Sequence, residues 1–206
     1  MFVMAMFLEL GIIKMSDKTE ALLAVQKTCL SCVRCSIGGC EIEGRISNVF
    51  SSLNMDSKVM VVGQNPGATE VQRGFPFVGP SGEFFDKAIK EVLGVGREAF
   101  YITNVVKCFS PGNRSPHDDE IKNCRYILDA EVAAIQPTLI ITLGGPSLKA
   151  MTGLSGITKH RGEIQFSPRY SSNVLPLWHP SPLNMNSQDK RQQFFDDLKK
   201  VIPYLR

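Results

Sequence analysis

The chain has 206 residues, 43% of them hydrophobic, enough for one well-packed domain and too few for two generous ones. Its 23 basic and 20 acidic residues leave a formal charge of +3, so any affinity for nucleic acid must come from a local patch rather than from a strongly basic whole. The opening MFVMAMFLELGIIK contains Glu9, is too short to span a bilayer and is followed by no small-residue cleavage site, so no membrane anchor is expected. A more typical start, MSDKTEALLAVQ, begins at Met15. Residues 1–14 are therefore expected to be a disordered extension and residues 15–206 a single domain.

After Met15, the apolar positions Leu22, Leu23 and Val25 among polar neighbours predict a short helix that runs into a cysteine-rich, irregular stretch. KVMVV (58–62), ended by Gly63, reads as a buried parallel strand feeding a loop. The pattern recurs in AFYITNVV (99–106), PTLIITLG (137–144) and NVLPLWH (173–179). Helical patterns lie between and after them: GEFFDKAIKEVLG with Ser81 as N-cap, DDEIKNCRYILDAEVAAI (118–135), PSLKAMTG, and DKRQQFFDDLKKVI (189–202). Strands alternating with helices predict an α/β fold, a three-layer α/β/α sandwich around a central, mostly parallel sheet. Ligands of such sheets bind beyond the carboxyl ends of the strands, which singles out the loops GQNPG (63–67), TNVVKC (103–108), GGPS (144–147) and WHPSPLN (178–184).

Six cysteines punctuate this frame. Cys29, Cys32, Cys35 and Cys40 follow the spacing C-x2-C-x2-C-x4-C, and Cys108 and Cys124 bracket KCFSPGNRSPHDDEIKNC. In the reducing cytoplasm expected for this chain, clustered cysteines are metal ligands or catalytic groups more often than disulfides. Buried thiols packing as small hydrophobes account for one or two of the six, not for the cluster. Four thiolates suit a 4Fe-4S cluster or a tetrahedral zinc, and spacing alone does not choose between them.

The ordered set VVGQNPGATE, GFPFVGPSG, YITNVVKCFSPGNRSPHDDEIKNC, PTLIITLGGPSLKAMTG and WHPSPLN resembles the uracil-DNA glycosylase superfamily, and the cysteines narrow the resemblance to its iron-sulfur branch, family 4. It covers most of the chain from about Cys32 to Ile202. The resemblance implies 4Fe-4S ligands at Cys32, Cys35, Cys108 and Cys124, with Cys40 competing for one of the first two places and Cys29 a fainter candidate. It also implies a monomeric, cytoplasmic enzyme that acts on DNA containing uracil or a related damaged base, without any membrane partner, and leaves an abasic site.

A glycosylase extrudes its base, reads it in a pocket and breaks the bond from sugar C1′ to base nitrogen. Stacking needs an aromatic face, for which Phe77 is the family-like candidate, whereas Phe75 reads as a core phenylalanine. Reading a pyrimidine edge needs a donor and an acceptor together, and the amide of Asn104 offers both; the competing role for it is a turn or cap. The leaving base gathers negative charge, which His179 in HPSPLN is placed to stabilise. Gly63, Gln64, Gly67 and Ser181 complete the expected substrate site. Leu183 resembles a wedge residue that fills the gap left by a flipped nucleotide. Arg114 and Arg161, with Lys159 and His160, are candidates for phosphate contacts, with solvated surface charge as the competing reading.

Motif one departs from the branch. Iron-sulfur members carry GEAPG or GEGPG, whereas this chain reads Gly63-Gln64-Asn65-Pro66-Gly67. Its third position resembles the GMNPG and GINPG loops of single-strand-selective and mismatch-specific relatives; its start resembles the GQDPY loop of family 1. Asparagine cannot ionise, so Asn65 can orient water without acting as a general base. Gly67 stands where family 1 has a tyrosine that blocks the thymine methyl, which leaves room beside C5 of the base. The rival expectations are a glycosylase for another deaminated or 5-modified base and a noncatalytic iron-sulfur protein that binds DNA or senses redox state. No lysine in the motifs is placed as a Schiff-base nucleophile, so the expected enzyme is monofunctional.

Overall fold

The computed structural model describes residues 17–42, 44–51 and 54–205. The expected extension, 1–14, lies outside them.

Helix α1 (Asp17–Leu30) leads into the cysteine-rich turns and a two-strand antiparallel hairpin of β1 (Glu41–Ile42) and β2 (Arg45–Ile46). The body then alternates: β3 (Val59–Gly63), α2 (Ala68–Arg73), α3 (Pro80–Leu93), β4 (Tyr101–Asn104), α4 (Asp118–Ile135), β5 (Leu139–Leu143), α5 (Gly145–Thr152), α6 (Ile157–His160), β6 (Gln165–Ser167), β7 (Ser172–Leu177) and α7 (Gln188–Leu198). The sheet order is β4-β3-β5-β7-β6, with the first four strands parallel and β6 antiparallel to β7.

Alternation along the strands builds the layers. Met60, Val62, Tyr101, Ile140 and Val174 face one side, against Leu22 of α1, Ile127, Leu128 and Val132 of α4, and Met151 of α5. Val61, Ile102, Ile141, Leu175 and Leu177 face the other, against Phe85 and Ile89 of α3 and Phe194 and Leu198 of α7. Both faces are covered, which explains why β3 is a continuous apolar run and β5 is one but for the buried Thr142. The expected three-layer α/β architecture is the one observed.

Several expectations change in detail. The last helix is expected to run to residue 202 but is α-helical only to Leu198, then tightens into a 3-10 segment, Lys199–Tyr204. Pro203 is the physical reason: it has no N–H to donate and its ring crowds the carbonyl four residues back. Helix α3 begins one residue before the expected cap, with Gly79 as N-cap and Pro80 in the first turn. Leu23 is 38% exposed, so only Leu22 of that pair belongs to the core. Pro176 is tolerated inside β7 because it lies beyond the stretch paired with β6; its carbonyl instead accepts the Gly162 N–H at 2.8 Å.

Candidate active site

The carboxyl ends of β3, β4 and β7 open into a cleft of about 530 Å³. Strand β3 ends at Gly63, where an added Cβ would lie 2.4 Å from Asn104 Oδ1 and 2.4 Å from the Phe77 ring. Only glycine lets those two side chains meet there. Beyond the strands, the Gly63 and Gln64 carbonyls accept the Val105 and Val106 N–H groups, each at 2.9 Å, so the loops after β3 and β4 stay paired past the sheet proper.

Asn65 and Asn104 both line the cleft. Asn104 is buried, and its Oδ1 has no hydrogen-bond partner among the described residues. Asn65 donates from Nδ2 to the Pro66 carbonyl at 3.2 Å, and its Oδ1 is likewise buried and without a partner among the described residues. Buried polar atoms are nearly always paired in folded proteins, so two orphan acceptors in one cleft point to a ligand that brings donors.

Phe77 is buried and packs 6.4 Å, centroid to centroid, from both Phe85 and His179. Its φ of 53° is rare for a bulky side chain. The surroundings hold it there: Arg97 Nη2 donates to the Phe77 carbonyl at 2.5 Å, and Gly82 approaches so closely that a Cβ would fall 1.9 Å from that same oxygen. Backbone strain of this kind persists where neighbours over-determine it, often at ligand sites. By contrast Phe75 is 57% exposed, which corrects its expected place in the core. The left-handed backbone at Phe77 itself breaks any regular alternation, and the two phenylalanines do not share a face.

His179 follows β7. Burial pushes its imidazole below the ordinary histidine range, partly opposed by the Glu70 carboxylate. It is therefore a neutral N–H donor at neutral pH. Ser181 and Leu183 also line the cleft, Leu183 at 84% exposure. The expected GGPS loop does not line it; the Gly144 N–H donates to the Leu177 carbonyl at 3.0 Å, packing the loop against the end of β7.

Glu70 is the site residue that sequence reasoning missed. It lines the cleft and accepts the N–H groups of Gly67 (3.1 Å), Val78 (3.0 Å) and Gly79 (2.7 Å), joining the motif-one loop to the loop that carries Phe77. Its position three residues after Gly67 is capping-box spacing, a readable signal. Asn113 was missed as well. It lines the cleft in a left-handed conformation, φ 56°.

The expected phosphate-binding arginines have partners within the fold. Arg114 makes a two-pronged ion pair with buried Glu120 (2.9 and 2.6 Å), and Arg161 pairs with Asp197 at 2.5 Å. Neither lines the cleft.

A family model for the uracil DNA glycosylase superfamily matches residues 50–202. The chain belongs to this superfamily. Among similar proteins, the Type-4 uracil-DNA glycosylase of Sulfurisphaera tokodaii is 34% identical over 190 residues, 88% of this chain and 84% of that one. The Type-4 enzyme of Thermotoga maritima is 31% identical over 195 residues, covering 93% and 98%, and that of Saccharolobus solfataricus is 36% identical over 155 residues, covering 72% and 71%.

Cys32, Cys35, Cys108 and Cys124 line a second, small cavity, joined there by Cys29 and Lys107. Cys40 is exposed and outside it. Burial pushes the Cys108 thiol up to about 12 and the Cys124 thiol to about 11, and raises Cys29 further. Thiolates there call for a compensating cation. Among the described residues no three Cys, His, Asp or Glu groups converge closely enough for a single metal ion. Soft thiol donors gathered at one cavity suit a 4Fe-4S cluster or a zinc ion. Among the described residues no helix is long and apolar enough to cross a membrane.

Proposed function

We propose that the protein hydrolyses the N-glycosidic bond of uracil in DNA and leaves an abasic site, as a monofunctional glycosylase of base-excision repair. The observation that carries this reading is the pair of orphan amide oxygens, on Asn104 and Asn65, in a cleft that also holds a half-buried neutral histidine and a fixed aromatic ring.

An extruded uracil stacks on Phe77. Asn104 accepts the base N3–H with Oδ1 and donates to O4 with Nδ2, a pairing that cytosine, without the N3 proton, cannot satisfy. His179 donates to O2 and grows more valuable as the base becomes an anion in a site shielded from water. Bond breaking runs ahead of attack, and the sugar becomes cation-like. Asn65 accepts a hydrogen bond from the attacking water and aims its oxygen at C1′; it takes no proton, which passes to solvent or to the departed uracil anion once the C1′–O bond has formed, so leaving-group stabilisation carries the rate. Leu183 fills the space the base vacates.

Cys32, Cys35, Cys108 and Cys124 would hold a 4Fe-4S cluster. When bound, it supplies a structural tie between the amino-terminal turns and the loop after β4. Residues 15–206 act as one domain, in the cytoplasm and as a monomer. Gly67, with no side chain at the cleft, favours acceptance of 5-substituted uracils as a second substrate class.

The test is single-turnover base release from a uracil-containing single-stranded oligonucleotide by protein purified without oxygen. Release is expected. Its absence with folded, metal-loaded protein would leave a glycosylase for another base or a noncatalytic DNA binder. Comparing uracil with 5-hydroxymethyluracil and hypoxanthine tests the wider range, and strict uracil preference would reject it.

A further inference from the structure

Beneath β4 lies a charged pair that the chemistry above does not use. Lys107 and Glu131 form an ion pair with side chains 1% and 0% exposed. The ammonium has three protons, and three acceptors take them: Glu131, the Thr103 hydroxyl at 2.6 Å and the Asn104 carbonyl at 2.6 Å. Glu131 is itself fixed by Thr103 Oγ1 at 2.9 Å and the Tyr101 hydroxyl at 3.0 Å. The main chain of the same lysine faces the other way. Its N–H donates to Cys124 Sγ at 3.3 Å, its carbonyl accepts the Val49 N–H at 2.7 Å, and it lines the cysteine cavity.

A buried ion pair is weak support for stability, because well-packed apolar side chains of similar size often serve as well. What this pair adds is geometry. A saturated ammonium has one position, and that position sets the peptide carrying Asn104.

We propose that Lys107 is a positioning residue for base recognition: its ammonium locks the Asn104 peptide while its own peptide is anchored on Cys124, so the base-reading amide takes its bearing from the cysteine cavity. The proposal rests on the glycosylase reading of the cleft. Its mechanical half, that Lys107 holds the β4 loop, can be tested without catalysis.

The test is the double variant Lys107→Met/Glu131→Gln, studied as isolated, with total metal content and thermal midpoint recorded. It strands no charge and keeps an acceptor for Tyr101 and Thr103. KM for uracil-containing DNA is expected to rise about tenfold and the preference for uracil over cytosine to fall by a similar factor, with kcat nearly unchanged, the signature of lost ground-state positioning. Hydrogen exchange should quicken across residues 101–108 and stay unchanged across 139–143. Glu131→Gln alone, which keeps the bond from Lys107 to Asn104, should retain base preference. Unchanged KM and preference in the double variant would overturn the proposal, as would equal losses in the Glu131→Gln single variant. A joint collapse of kcat, KM and midpoint with faster exchange throughout the sheet would make the pair merely structural and overturn it too. If wild-type protein releases no uracil, the uracil reading fails, and the exchange arm still decides whether Lys107 holds the loop: quickening confined to 101–108 supports it, and unchanged exchange overturns it.

Discussion

Two polar regions lie on either side of the Asn104 peptide, and they are built in opposite ways. In the cleft, Asn65 and Asn104 each keep a buried acceptor without a partner among the described residues. Beneath the strand, Lys107, Glu131, Thr103 and Tyr101 satisfy one another. The first arrangement costs free energy until a ligand supplies donors; the second pays that cost internally. The contrast teaches that burial of polar groups does not mark a functional site. Incomplete satisfaction at a concave surface does.

The largest effect should come from breaking the satisfied region on one side only. Lys107→Met strands a buried carboxylate, and denaturant unfolding is expected to read a loss of about 3–5 kcal/mol; a loss below 1 kcal/mol would mean the pair is not closed. Removing a donor from the unsatisfied side should spare stability and strike the rate. His179→Ala is expected to slow single-turnover release by about 10²–10³-fold, with the unfolding midpoint nearly unmoved. Asn65→Ala should slow it by about 10²-fold through lost water positioning, and full retention of excision would end its assignment.

A gentler probe is pH. Burial lowers the His179 pKa in the folded protein, so the imidazole is neutral at neutral pH and protonates at more acid pH than an exposed histidine does. The rate profile should be flat above about pH 6.5, with any histidine inflection displaced to the acid side; an NMR titration of His179 checks it. The unfolded chain binds that proton first, so this residue's contribution to stability is present above the unfolded pKa and is lost as pH falls below it. The smallest effect is expected at Arg114. Its pairing with Glu120 predicts that Arg114→Ala lowers the melting midpoint and leaves the salt dependence of DNA binding unchanged, whereas a phosphate contact would reduce the slope by about one.

The central strands were legible because both faces of the sheet are covered, which writes β3 as an unbroken apolar run and β5 as one interrupted only by Thr142. The edge strand β6 was not. Phe166 is 61% exposed and its neighbours give no run long enough to register. Phe75 and Phe77 lie two apart in a turn with no period to sort them, so inside and outside could not be assigned from pattern. Asn104 and His179 were readable because each follows an apolar strand. Glu70 stands at capping-box spacing after Gly67 and was readable as a helix cap, but its bonds to the Val78 and Gly79 N–H groups join it to a loop that the spacing does not reveal. The cysteines were ambiguous for a physical reason: α1 ends at Leu30, between Cys29 and Cys32, so their even spacing crosses a break in geometry that the spacing cannot reveal.

The two hydrogen bonds that carry the β3 and β4 loops past the sheet, from Val105 to Gly63 and from Val106 to Gln64, tie the chain just before Asn65 to the chain just after Asn104. On the roles proposed for these two residues, a misfitting base that displaces Asn104 is expected to shift Asn65 as well, and would be disfavoured twice, once by poorer fit and again by a nucleophile pulled off line.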